Sequence, residues 1–189
     1  NLLLYADDAI VVVYKPAGLA VQTKKMGEKD LESLLRTWQA GQGAGTYIGV
    51  VHRLDQPVEG VLVFAKEKKS AAVLTKQLSA GTLNKQYYAV LCGYPDASEG
   101  ELVDYLRKEG SVAVAVTGRE KNFPDAKIAK LHYSILEKIN QPMPLALADV
   151  CIETGRFHQI RVQFAHAGWP LLGDTKYGNT TVAGTAGSP

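Results

Sequence analysis

The sequence predicts an α+β domain on a mixed, largely antiparallel central sheet with flanking helices and a central cleft. Short apolar runs of strand length outnumber amphipathic stretches of helix length. Hairpin-like connections outnumber strand–helix–strand units. A chain of 189 residues that is 46% hydrophobic can also bury one ordinary core.

The elements follow in order. Residues 2–5 and 10–14 read as two short strands around an Asp7-Asp8 turn. Lys15-Pro16-Ala17-Gly18 then closes the second strand. Asp30 is placed to cap a helix to about Ala40, with Leu31, Leu34, Leu35 and Trp38 on one face. The Gly-rich stretch 41–45 breaks it and lacks the Lys-Ser/Thr ending of a phosphate loop. Residues 60–66 form a buried strand, and 69–80 an amphipathic helix ended by Gly81. Residues 85–91, 111–117, 127–136 and 145–154 are further strands, the last two joined by a Pro142-Met143-Pro144 turn. Thr154 is a candidate cap for a helix burying Phe157, Ile160 and Phe164. The Gly-, Thr- and Ala-rich residues 179–189 read as a flexible tail beyond a domain of residues 1–178.

Composition excludes several function classes. No run approaches the roughly 20 apolar residues of a membrane helix, so a cytoplasmic, membrane-free protein is expected. Cys92 and Cys151 sit singly in apolar strands and read as buried free thiols. The four histidines show no metalloprotease spacing, and no Gly-x-Ser-x-Gly turn is present. No metal is expected. A net charge of +2 is a mild bias toward anionic partners.

Three segments carry candidate chemistry. His52, Arg53 and Asp55 lie on a polar loop entering the strand at Gly60, a rigid place for a carboxylate at a cleft. A structural ion pair or turn-capping Asp fits the same residues. His158 and Arg161 share one face of the last helix, where an arginine can pair with a cleft carboxylate and keep it ionised. A solvated polar face is the alternative. Tyr87 and Tyr88 are strand neighbours, so one packs inward while the other faces outward, free to stack or to move protons unless both are ordinary sheet residues.

Together these segments resemble the RluA-type pseudouridine synthases. His52-Arg53-Leu54-Asp55 with Gly60 is similar to that family's first motif, and Lys85-Gln86-Tyr87-Tyr88-Ala89 with Gly93 to its tyrosine motif. Gly155-Arg156-Phe157-His158-Gln159-Ile160-Arg161, with Leu171-Leu172-Gly173-Asp174 and Tyr177-Gly178, resembles its third motif. Lys15-Pro16-Ala17-Gly18 fits an opening segment, and the likeness runs over residues 1 to about 178 in the right order.

The resemblance implies isomerisation of specific uridines in structured ribosomal or transfer RNA to pseudouridine. Asp55 would be the nucleophile, acting at ribose C1′, on the uracil ring or as a base on the ribose. Tyr87 would stack on the uracil and take part in the final proton loss from C5, and Arg161 would pair with Asp55. Arg53, His52, Arg156 and His158 would contact RNA, with Arg119 and Lys121 on a basic recognition surface. The reaction is redox-neutral, so no cofactor is implied, and a monomer is expected. The competing readings are a catalytically silent RNA-binding protein on the same fold and an unrelated hydrolase using Asp55 with His158. Two departures stand out: Val58-Glu59 replaces a common Thr-Ser, and Phe157 stands where Thr is common.

Overall fold

The computed structural model describes residues 2–25, 27–116 and 123–178. The chain forms two compact units, Asn1–Leu83 and Asn84–Pro189. Arg119, Lys121 and the expected tail 179–189 lie outside the described residues. Among the described residues no helix is long and apolar enough to cross a membrane.

The first unit contains β1 (Leu3–Ala6), β2 (Ile10–Lys15), α1 (Leu31–Gly41), β3 (Gly49–Val50), β4 (Gly60–Ala65) and α2 (Lys68–Ser79). Its sheet has the order β1-β2-β4-β3, every pairing antiparallel. Asp7 shapes the first hairpin, its Oδ1 accepting from the backbone N–H groups of Ala9 and Ile10 at 2.8 Å each. Strand alternation then puts Val11, Val13 and Lys15 on the buried face of β2, against Leu62 and Phe64 of β4.

Helix α1 starts where the sequence places it. The Asp30 carboxylate accepts from Ser33 N–H at 2.8 Å, while the Ser33 hydroxyl oxygen accepts from Asp30 N–H at 3.2 Å. The buried stripe is Leu31, Leu35 and Gln39, at four-residue spacing. Leu34, expected on that face, is exposed. Gln39 is the unexpected member: its amide nitrogen donates to the carbonyls of Ala44 and Lys66, while its Oε1 is buried without a hydrogen-bond partner among the described residues.

The second unit contains β5 (Lys85–Cys92), β6 (Glu99–Glu109), β7 (Val112–Val116), β8 (Lys127–Ile139), β9 (Leu145–Ile152) and α3 (Gln159–His166). Its sheet order is β5-β9-β8-β6-β7, again antiparallel at every pairing. The α+β class and the hairpin connections match expectation. Strand β6 was not foreseen, because its alternation is filled with Glu, Asp, Arg and Lys and reads as a polar stretch. The free edge of β5 is covered by residues 170–172, with Cys92 N–H donating to Pro170 O and Leu172 N–H to Val90 O.

Two expectations fail near β9. Cys151 is exposed, because strand alternation turns it away from buried Val150. The last helix begins at Gln159, four residues later than a Thr154 cap requires. His158 is the N-cap, in the left-handed region at φ 52°. Thr154 instead accepts from Lys130 N–H and donates to Gln159 Oε1, and Gln159 bonds onward to Arg156 N–H and Lys130 O. Phe157 therefore falls outside the helix and is exposed, while Phe164 is fully buried against Tyr133.

The C-terminal end of the described chain is braced by one buried ion pair. Arg161 donates from Nε and Nη2 to Asp174 at 2.7 and 2.9 Å, with 3% of the Asp174 side chain exposed. The same carboxylate accepts from the N–H groups of Lys176 and Tyr177. Burial by itself would raise the Asp174 carboxyl; Arg161 and these N–H groups outweigh it and hold it below the usual carboxylate range.

A group lowered in this way contributes stability above the ordinary carboxylate value and loses it as pH falls through the lowered one. Asp174→Ala is expected to cost about 3 kcal/mol at neutral pH, since it strands a buried guanidinium. In acid unfolding followed by circular dichroism, the gap from wild type should shrink between about pH 5 and about pH 2. A gap that stays constant over that range would show that the pair is not its source.

Candidate functional site

In the first unit the half-buried Asp55 lies on the loop between β3 and β4. That loop is held by the Lys15 segment. Lys15 ends the buried row of β2 with no solvent exposure, and its ammonium donates to the carbonyls of Pro16 (3.1 Å), Leu19 (2.7 Å) and Gln56 (3.1 Å). Gln56 is tied twice more: its carbonyl accepts from Gly18 N–H at 2.8 Å, and its side-chain amide donates to Gly18 O at 3.0 Å. Gly18 sits at φ 85°, a conformation that suits glycine, which explains the Lys-Pro-Ala-Gly pattern. Burial pushes the Lys15 ammonium down, while the charges of Asp55 and Glu59 oppose that shift.

Other positions of the motif are structural. Leu54 packs on the first core. Gly60 has φ 150°, and a Cβ there would lie 3.2 Å from Leu54 Cδ1, so glycine is required where the loop enters β4. His52 Nε2 accepts from Val63 N–H at 3.2 Å, which pins the loop to β4. Arg53 is exposed, on the same loop. Glu59, where a serine is common, is exposed and accepts from the Tyr14 hydroxyl at 2.7 Å.

In the second unit Tyr87 shares the inward row of β5 with Ala89 and Leu91 and packs, half-buried, on the core. Tyr88 is 72% exposed on the opposite face. Lys85, at the start of that strand, approaches Gly155: a Cβ on Gly155 would lie 3.1 Å from Lys85 Nζ. Burial pushes the Lys85 ammonium down.

The parts of the third segment meet although they are far apart in sequence. Besides the Arg161–Asp174 pair, Arg161 lies over the Tyr177 ring at 5.2 Å. The Tyr177 hydroxyl accepts from Ala113 N–H and shares a 2.6 Å hydrogen bond with His158 Nδ1. Phe157 stacks on His158 with centroids 3.8 Å apart. Arg156 Nε donates to Ile128 O at 2.8 Å. Sequence reasoning assigned no role to Lys15 or Asp174. The signal for each was a charged residue inside an apolar pattern, at the end of β2 and after Leu171-Leu172-Gly173.

One cluster in the second unit has metal-ligand chemistry, which sequence spacing did not reveal. Glu101, His132 and Glu153 place one ligand atom each within 4.8 Å of one another, because strand register sets Glu101 opposite His132. His132 Nε2 lies 2.6 Å from Glu153 and 3.5 Å from Glu101. All three are exposed, and the contacts are those of surface ion pairs.

Comparison with known proteins gives a consistent answer. A family model described as RNA pseudouridylate synthase matches residues 9–166. An uncharacterized RNA pseudouridine synthase of Bacillus subtilis, YhcT, is 32% identical over 93% of this chain and 57% of its own length. Ribosomal large subunit pseudouridine synthase C of Rickettsia conorii is 32% identical over 96% of this chain and 58% of its own. The tRNA pseudouridine synthase C of Yersinia pestis is 31% identical over 94% and 70%. The chain thus spans a little over half the length of the first two. Among solved structures, human RNA pseudouridylate synthase domain containing 4 superposes with TM-score 0.75 at 26% identity, covering 94% of this chain and 69% of that one. With the family model matching most of its length, this chain belongs to the RNA pseudouridine synthase family of the RluA type.

Proposed function

We propose that this chain isomerises specific uridines of structured ribosomal or transfer RNA to pseudouridine, with Asp55 as the nucleophile. The observation that supports it most is the tether of the Asp55 loop, where Gln56 is held by Lys15 and twice by Gly18. A carboxylate that must act on one atom of a bound nucleotide gains from a backbone that does not move. The relatives named for ribosomal and transfer RNA supply the substrate class.

In this reading the C1′–N1 bond of the target uridine breaks with the help of Asp55. The uracil turns and rejoins through C5. C5 then loses its proton and N1 ends protonated, so the product has the mass of the substrate. Tyr87 stacks on the uracil and takes part in the last proton transfer, and Arg161 keeps the nucleophile ionised. Arg53, His52, Arg156, His158, Arg119 and Lys121 contact RNA held with the target base turned out of its stack. The catalytic domain spans residues 1–178 and acts as a cytoplasmic monomer. The chemistry is redox-neutral and needs no cofactor or metal.

Asp55→Asn should abolish tritium release from RNA labelled at uridine C5 while RNA affinity stays within about twofold of wild type, since an exchange of carboxylate for amide changes little in a binding surface. Equal loss of release and binding would remove Asp55 from the nucleophile's role. Lys15→Met should leave three carbonyls without their donor and destabilise the protein by about 2–4 kcal/mol. At temperatures where the variant is still folded, kcat should fall more than KM rises, because the loss is in positioning the nucleophile. A change in KM alone would place Lys15 in substrate binding.

A further inference from the structure

The second unit holds a cavity of about 460 Å³ whose residues the proposed reaction leaves mostly unused. That volume falls in the range of roughly 300–1,000 Å³ typical of ligand sites. Four cations line it, Arg107, Lys108, Lys127 and Arg156, against one carboxylate, Asp125. They come from the end of β6, the start of β8 and the segment before α3, so the charge is gathered by the fold from distant positions.

The cations are available to a ligand to different degrees. Arg107 is paired with Glu109 and lies over Phe123. The Arg156 guanidinium is bonded among the described residues only through Nε, to Ile128 O. Lys108 and Lys127 are exposed and make no ion pair among the described residues. Lys108 Nζ rests 4.7 Å from the Phe157 ring centroid. His158 stacks on the same ring, with centroids 3.8 Å apart. Phe157 is thus engaged by both His158 and Lys108, and it presents Lys108 at the cavity. Four cations against a single carboxylate match the phosphates of a nucleic acid strand.

We propose that this cavity seats backbone phosphates of the substrate RNA, an anchoring contact separate from Asp55, Tyr87 and Arg161. The proposal rests on the reading that RNA is the substrate. The contact is electrostatic and positions the strand without reading its sequence. Phe157, which departs from the family's common threonine, makes the placement of Lys108 a property of this chain.

The test is equilibrium binding of a labelled single-stranded oligouridine over a series of salt concentrations, with the full chain. Lys108→Gln combined with Lys127→Gln should weaken binding about tenfold at low salt and flatten the slope of log affinity against log salt by roughly 1–1.5, the effect of about two lost phosphate contacts. Lys68→Gln with Lys69→Gln, which removes the same charge from exposed positions of α2, should change neither quantity. An unchanged slope in the first pair, or an equal loss in the control pair, would overturn the cavity as a phosphate site. Displacement of the oligouridine from wild type by free uridine 5′-monophosphate would overturn the strand assignment in favour of a mononucleotide pocket. A wild-type protein that binds neither oligouridine nor ribosomal RNA would overturn the RNA reading itself, a result distinguishable from failure of the cavity alone.

Discussion

A lysine ammonium sealed from solvent beneath a strand must find acceptors within the protein, and the first unit is arranged around that requirement. Lys15 reaches the buried face because strand alternation continues one residue past Val13. Leaving its charge unpaired there would cost several kcal/mol, on the order of the penalty for any buried ion. The chain answers by folding three carbonyls over the ammonium, two from the segment that follows β2 and one from Gln56. The third binds an early segment to a loop about forty residues later. It also fixes the residue next to Asp55, so the cost of burying Lys15 is converted into a rigid backbone at the proposed nucleophile.

The second unit solves a similar problem with an ion pair. Arg161 and Asp174 bury their charges on each other in a two-pronged contact, and Asp174 also gathers the N–H groups of the turn that carries Tyr177. Tyr177 in turn meets His158 and Ala113. The left-handed backbone of His158, uncommon for a residue with a side chain, accompanies this contact. Hydrogen bonds and ring contacts thus join the two halves of the third motif across the remainder of α3 and the turn after it, which accounts for their spacing in the chain.

The strands and helices with apolar periodicity were legible because their burial follows directly from it. Strands β2, β4, β5, β8 and β9, and helices α1 and α2, stand within a few residues of where the pattern places them. The failures have specific causes. In β6 charge covers the alternation. The start of α3 was misplaced because the Thr154 hydroxyl is engaged by Lys130 and Gln159, partners that register creates and no local pattern reveals. For the site, Asp55, Tyr87 and Arg161 were named through the family's motifs; composition and spacing alone left structural alternatives open. Lys15 and Asp174 stayed without a role because their importance lies in what they bond to. The Glu101, His132 and Glu153 cluster, assembled across neighbouring strands, was hidden for the same reason.

The central claim is that the Asp55 carboxylate breaks a glycosidic bond and that the detached base is kept and rejoined. The most direct test is the nucleoside content and mass of RNA, taken from cells lacking this protein, after incubation with the wild-type chain. The account predicts that pseudouridine appears at the expense of uridine, with RNA mass unchanged and no uracil in solution. Free uracil or a shortened strand would contradict it and make the Asp55 site hydrolytic.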